Sequence, residues 1–182
     1  MTTLNENDCL ILIIDIQDKL LNSVYNKETL KNKSIIIAKA ASMLNIPVIV
    51  TEQYPKGLGS TINELKNALS NYTDYYEKTS FSALDNSEVM SSIKKANKKQ
   101  IIIFGIETHI CVSQTAIALA DKGYDVTLIK DASGSREETE HNSGIDRMKE
   151  FGIHIITTEI ALFEWLKSAK HKKFKDVQAL IK

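Results

Sequence analysis

The run "CLILIIDIQ" places six apolar residues, Cys9 to Ile14, ahead of Asp15 with no polar interruption. A strand with one wet face alternates apolar and polar residues, so an unbroken run describes a strand covered on both faces, as parallel sheets require. Comparable short runs recur as "IPVIVT" from Ile46, "QIIIFG" from Gln100, "YDVTLIK" from Tyr124 and "GIHIITT" from Gly152, with a weaker one in "YYEKT" from Tyr75. Segments of helical composition separate them: Lys27 to Leu44, Thr61 to Leu69, Ser87 to Asn97, His109 to Lys122, Glu137 to Phe151, and Glu159 to Lys167. Alternation of this kind predicts an α/β fold around a parallel sheet with right-handed crossovers.

A chain of 182 residues suits one domain, 1–182, since one core of that size hides about 70% of the unfolded surface. No repeat, low-complexity tract or linker divides it. The tail "KHKKFKDVQALIK" carries Phe174, Val177, Leu180 and Ile181 at helical spacing, which predicts a helix at about 170–181. Its apolar stripe fits its own domain or a partner subunit equally well.

Lys plus Arg and Asp plus Glu are both 23, so the formal charge is zero and offers no long-range pull on nucleic acid or anionic lipid. No stretch reaches the roughly 18 apolar residues of a membrane span, and "MTTLNENDCLI" lacks a secretory pattern. A cytoplasmic protein with a small-molecule substrate is expected, without nucleic-acid or membrane partners. Two cysteines are too few for a disulfide framework, so each is read as a free thiol. Neither CxxC nor HExxH occurs, the histidines lack ligand spacing, and no P-loop or dinucleotide fingerprint is present. No metal and no cofactor are therefore expected.

Ligands of open parallel sheets bind beyond the carboxyl ends of the strands. Asp15 ends the first strand, Glu52 and Gln53 follow the second, Lys78 ends the weak third, and Glu107 to Cys111 follow the fourth. A carboxylate closing an apolar run needs a partner or a raised pKa. Lys78 alone reads as a surface lysine; facing the same cleft as Asp15 it would form an ion pair. Cys111 lies at the first turn of the next helix, where unpaired amides and the positive dipole end favour a thiolate. Cys9 starts an apolar strand without polar company and reads as packing.

Asp15 in "DIQ", Lys78 in "KTSFSAL" and Cys111 in "GIETHICV" together resemble the signature of the isochorismatase-like cysteine hydrolases, along essentially the whole chain. "VTEQYPKGLG" from Val50 and the tail are similar to the subgroup called isochorismatase domain-containing proteins. The resemblance implies a three-layer α/β/α Rossmann-like sandwich on a six-stranded parallel sheet, and a homo-oligomer. It implies Cys111 as nucleophile on an amide or similar carbonyl, Asp15 as base and Lys78 as its electrostatic partner. It further implies a cis peptide between Ile106 and Glu107, with the amides of Glu107 and Cys111 forming an oxyanion hole.

Gln17, Glu52, Gln53, Tyr54 and Phe81 are expected to line the substrate pocket. Nicotinamidases of this superfamily carry metal-binding histidines after strand two, whereas residues 52–60 read "EQYPKGLGS". Isochorismatases proper do without the cysteine. The expectation is a metal-independent hydrolase of a small amide or related C–N bond; the alternative is a non-catalytic binding or scaffold protein that keeps the fold. One geometric question goes with it: with strand order 3-2-1-4-5-6, Lys78 must reach across a whole strand to meet Asp15.

Overall fold

The computed structural model describes residues 3–69 and 73–182. Six parallel strands form one sheet: β1 Cys9–Ile14, β2 Val48–Gln53, β3 Asp74–Lys78, β4 Gln100–Gly105, β5 Asp125–Ile129 and β6 His154–Ile156. Their order is β3-β2-β1-β4-β5-β6, so the chain reverses direction between β1 and β4. The helices are α1 Asp18–Leu21, α2 Lys27–Leu44, α3 Pro55–Leu58, α4 Asn63–Ala68, α5 Ser87–Ala96, α6 Ser113–Asp121, α7 Glu138–Glu150, α8 Thr158–Leu166 and α9 Phe174–Gln178.

Every residue of β1 is buried because the sheet is covered twice. Ile11 and Ile13 face α2, α4 and α8, while Leu10, Leu12 and Ile14 face α5, α6 and α7. The double cover is what the apolar runs predict, and the three layers are those the family resemblance implies. β3 reads weakly in sequence because it is the sheet's edge: Asp74, Tyr75 and Glu77 are exposed and only Lys78 is fully buried. β2 and β3 are in register with Gln53 opposite Lys78, and β1 meets β2 with Ile14 opposite Thr51. β1 and β4 end level, Ile14 opposite Gly105. Gly105 has φ +135, and a Cβ there would collide with the Ile14 carbonyl, so only glycine allows the two strand ends this approach.

Local rules set the boundaries. Asn86 caps α5 by accepting from the amides of Glu88 (2.8 Å) and Val89 (3.4 Å). α2 stops at Asn45, which takes the left-handed conformation at φ 56. The tail folds on its own domain: Val177 is fully buried and Phe174, Leu180 and Ile181 pack on the same core. The helix is shorter than the spacing suggests, with α9 followed by a 3-10 turn, Ala179–Ile181. Val177→Asp is expected to cost about 3 to 4 kcal/mol, from lost packing plus a buried charge, read as a lower thermal midpoint by calorimetry. An unchanged midpoint would mean that the tail contributes nothing to the core. No helix among the described residues is long and apolar enough to cross a membrane.

Candidate active site

At the switch between β1 and β4 three ionisable side chains meet. Asp15 follows β1 in the left-handed region at φ 52, a conformation that aspartate tolerates better than most residues. Its side chain has no solvent exposure, and neither does that of Lys78, whose Nζ stands 2.7 Å from Asp15 Oδ2. Lys78 thus spans the intervening strand β2. Three further acceptors along its path hold it there: Gln53 Oε1 at 2.6 Å and the carbonyls of Ser80 (3.1 Å) and Phe81 (3.3 Å).

Thr51 donates to Asp15 Oδ1 at 2.7 Å. Oδ2 accepts no well-aligned hydrogen bond among the described residues, so the contact with Lys78 is ionic in character and leaves room for a second donor. The Cys111 thiol interacts with both Asp15 and Lys78. Burial pushes the Asp15 carboxyl above its ordinary range, more than Lys78, Thr51 and Cys111 pull it down.

Cys111 lies in a π-helical turn, Thr108–Val112, that precedes α6. The helix expected from His109 therefore begins with one wide turn; such turns concentrate at functional sites. Glu107 anchors it, its carbonyl accepting from Ile110 (3.1 Å) and Val112 (3.2 Å). The peptide between Ile106 and Glu107 is cis. The Glu107 amide donates to no group among the described residues, and the Glu107 carboxylate holds the Arg136 amide (2.9 Å) and Nε (3.2 Å).

The expectation of a resting thiolate needs correction. Burial first, then the Asp15 charge, push the Cys111 thiol up to about 12, and Lys78 does not offset them. Cys111 is 7% exposed, and the helix amino end cannot replace the water it has lost. Burial and the neighbouring Asp15 thus favour the neutral thiol over a resting thiolate.

The expected pocket residues divide. Tyr54 lines a cavity of about 510 Å3 together with Lys78, Glu77, Ser80, Asp85 and Asn86. Phe81 is 56% exposed and contributes its carbonyl to Lys78. Gln17 and Glu52 do not face that cavity. Gln17 is fully buried and clamps the loop after β2, donating to the carbonyls of Gln53 (3.0 Å) and Gly59 (2.5 Å) and accepting from the Gln53 amide (2.7 Å). Glu52 turns back to the Thr61 amide at 2.7 Å. Gln53 braces Lys78 and donates to the Thr79 carbonyl at 2.8 Å. Each is occupied by backbone groups of the loops around it.

Two supporting residues escape a sequence reading. Thr51 is a lone hydroxyl at the end of an apolar strand, a usable signal in hindsight. Thr115 Oγ1 donates to the Cys111 carbonyl (2.6 Å) and accepts from the Ala83 amide (3.0 Å), tying the nucleophile turn to the loop after Lys78. Cys9 is less isolated than expected: its thiol lies 3.4 Å from Gln100 Oε1, and burial raises it to about 11. Among the described residues no three His, Cys, Asp or Glu side chains group as metal ligands.

Comparison with known proteins agrees with this architecture. The family description "Isochorismatase domain" matches residues 9–160. Isochorismatase family protein 1A of Dictyostelium discoideum is 39% identical over 181 residues, covering 97% of this chain and 87% of the relative. Among solved structures, the MAR1 ribonuclease from Caenorhabditis elegans superimposes with a TM-score of 0.94 at 34% identity, covering 99% of this chain and 92% of that one. The YcaC gene product of Escherichia coli, described as an octameric hydrolase of unknown specificity, does so with a TM-score of 0.89 at 27% identity, covering 100% of this chain and 95% of that one. With the fold, the strand-end cluster and a family match across most of its length, the chain belongs to the isochorismatase-like hydrolase family.

Proposed function

We propose that the chain, as one domain over residues 1–182, is a metal-independent cysteine hydrolase that cleaves a small amide or related C–N bond through a thioester on Cys111. The observation that carries this reading is the sharing of one buried carboxylate, Asp15, between a buried ammonium and a buried thiol. Asp15 takes the Cys111 proton as sulfur attacks the carbonyl carbon, so no thiolate need accumulate beforehand. The amides of Glu107 and Cys111 receive the developing oxyanion, a contribution of about 3 to 4 kcal/mol per donor. As the C–N bond breaks, Asp15 returns the proton to the departing amine. Water then hydrolyses the thioester with Asp15 again as base, releasing the carboxylic acid and restoring the thiol.

A phosphodiester substrate, as the name of the Caenorhabditis elegans relative would suggest, fits this site less well. Its one buried cation is committed to Asp15, and the chain's zero formal charge offers no attraction to a polyanion. The octameric relative supports a homo-oligomer, and the two free thiols suit a cytoplasmic setting.

The test is a panel of small amides incubated with wild type and Cys111→Ala, with ammonia or amine release measured beside intact mass. Turnover with an acyl adduct in wild type, both absent in the variant, is the expected result. Turnover that survives Cys111→Ala ends the thioester mechanism. Equal binding without turnover in either protein favours the scaffold alternative.

A further inference from the structure

A second cleft, of about 760 Å3, opens beyond the carboxyl ends of β5 and β6, between the start of α2 and the middle of α7. That volume suits a small ligand, and the hydrolytic chemistry above makes no use of it. His141 and Ile145 of α7, Ile155 of β6 and Asp131 form its wall, with Tyr25 and Lys130 at the rim. Lys149 and Asp146, also on α7, pair with each other at 2.8 Å and so cancel.

Two other charged groups of the cleft, Asp131 and Lys130, each keep an open atom. Asp131 uses Oδ1 for the Thr158 amide (2.8 Å) and hydroxyl (3.0 Å), while Oδ2 has no hydrogen-bond partner among the described residues. Lys130 forms no ion pair among them. One open anion beside one open cation, over the apolar floor of Ile145 and Ile155, complements a ligand carrying both charges on a short frame.

His141 connects this cleft to the nucleophile turn. It is 6% exposed, its Nδ1 lies 2.8 Å from Thr108 Oγ1, and its Nε2 has no partner among the described residues. Thr108 opens the π-helical turn that carries Cys111, and its amide donates to the Gly134 carbonyl at 2.9 Å. α7 lies hard against the same turn, since a Cβ on Gly144 would stand 2.7 Å from His109 Cα. The path from the cleft to the nucleophile turn therefore runs through two residues, His141 and Thr108.

We propose that this cleft is a second, non-catalytic site for a small zwitterion, an α-amino acid being the simplest that fits, and that its occupancy is passed to Cys111 through His141 and Thr108. The ammonium would lie on Asp131 Oδ2 and the carboxylate on Lys130. The transmission half rests on Cys111 being the reactive residue; the binding half does not.

The experiment titrates full-length protein, labelled with 13C in its histidine rings, with each of the twenty L-amino acids. The His141 signal is assigned by its loss in His141→Gln. Parallel samples measure the rate of Cys111 alkylation by iodoacetamide by mass spectrometry. Expected is a saturable shift of the His141 signal with at least one amino acid, together with a change in alkylation rate of about fivefold or more. The matching decarboxylated amine and deaminated acid should do neither. Lys130→Ala and Asp131→Asn should each lose the shift while their ligand-free alkylation rates stay at the wild-type value. Thr108→Val should keep the shift and lose the rate change.

No saturable shift with any of the twenty overturns the site. A shift shared equally by the amine or the acid overturns the zwitterion, and a shift without a rate change overturns the transmission. Should Cys111 prove catalytically idle in the amide panel, the hydrolase reading falls while the His141 titration still decides the site.

Discussion

Asp15→Asn is expected to reduce amide turnover by about a thousandfold or more, because the substitution removes the carboxylate proposed to accept the Cys111 proton. An asparagine keeps the shape and can still accept from Thr51, so the loss is chemical before it is structural. Stability falls too. Lys78 stays buried with no anion, which costs about 3 to 5 kcal/mol when one partner of a buried pair is removed. Both effects follow from the same contact and must be separated. The double variant Asp15→Asn/Lys78→Met removes both charges and should recover most of the stability in urea unfolding, while turnover remains at the level of Asp15→Asn. Recovery of turnover with stability would show that Asp15 is only a structural counter-ion. Turnover near wild type in Asp15→Asn would end its role as base.

The sheet was legible in sequence wherever burial was complete. β1 and β4 carry unbroken apolar runs because helices cover both their faces, and α2 has the very limits its composition suggests. β3 was faint because an edge strand needs only one partner and few apolar side chains. The positions of Asp15, Lys78 and Cys111 follow from a rule about strand ends, but their meeting depends on a lysine stretched across β2, which strand order alone made doubtful.

What stayed illegible was environment. A π-helical turn and an α-helical turn draw on the same residues, so the wide turn at Thr108–Val112 left no mark in the composition. The thiol's position at a helix start was readable; its burial and the field of Asp15, which reverse the expected shift, were not. Gln17 and Glu52 were polar residues at strand ends, as a pocket would need, yet loop amides and carbonyls claimed them first. His141 gave no signal because its partner, Thr108, lies 33 residues away.

Lys78→Met keeps the aliphatic stem and removes the charge, and its effect should depend on pH with a definite sign. Asp15 has an ordinary value near 3.8, raised in the fold by burial and held partly down by Lys78. For a group raised on folding, the favourable contribution is complete below the unfolded value and is lost as pH rises through the folded one. Without Lys78 the folded value climbs further, so that loss becomes deeper and extends to higher pH. Near neutral pH the variant should be less stable than wild type by about 3 to 5 kcal/mol, the cost of an unpaired buried carboxylate. Around pH 4 the order should close or invert, because protonated Asp15 beside methionine is a neutral pair whereas in wild type it leaves the ammonium alone. The acid limb of the pH–rate profile should move upward with the same change, since the base must be ionised to accept the thiol proton. Urea unfolding from about pH 4 to pH 8, with kcat/KM over the same interval, measures both. A stability difference that is constant across the interval would mean that Lys78 acts by packing alone and does not set the ionisation of Asp15.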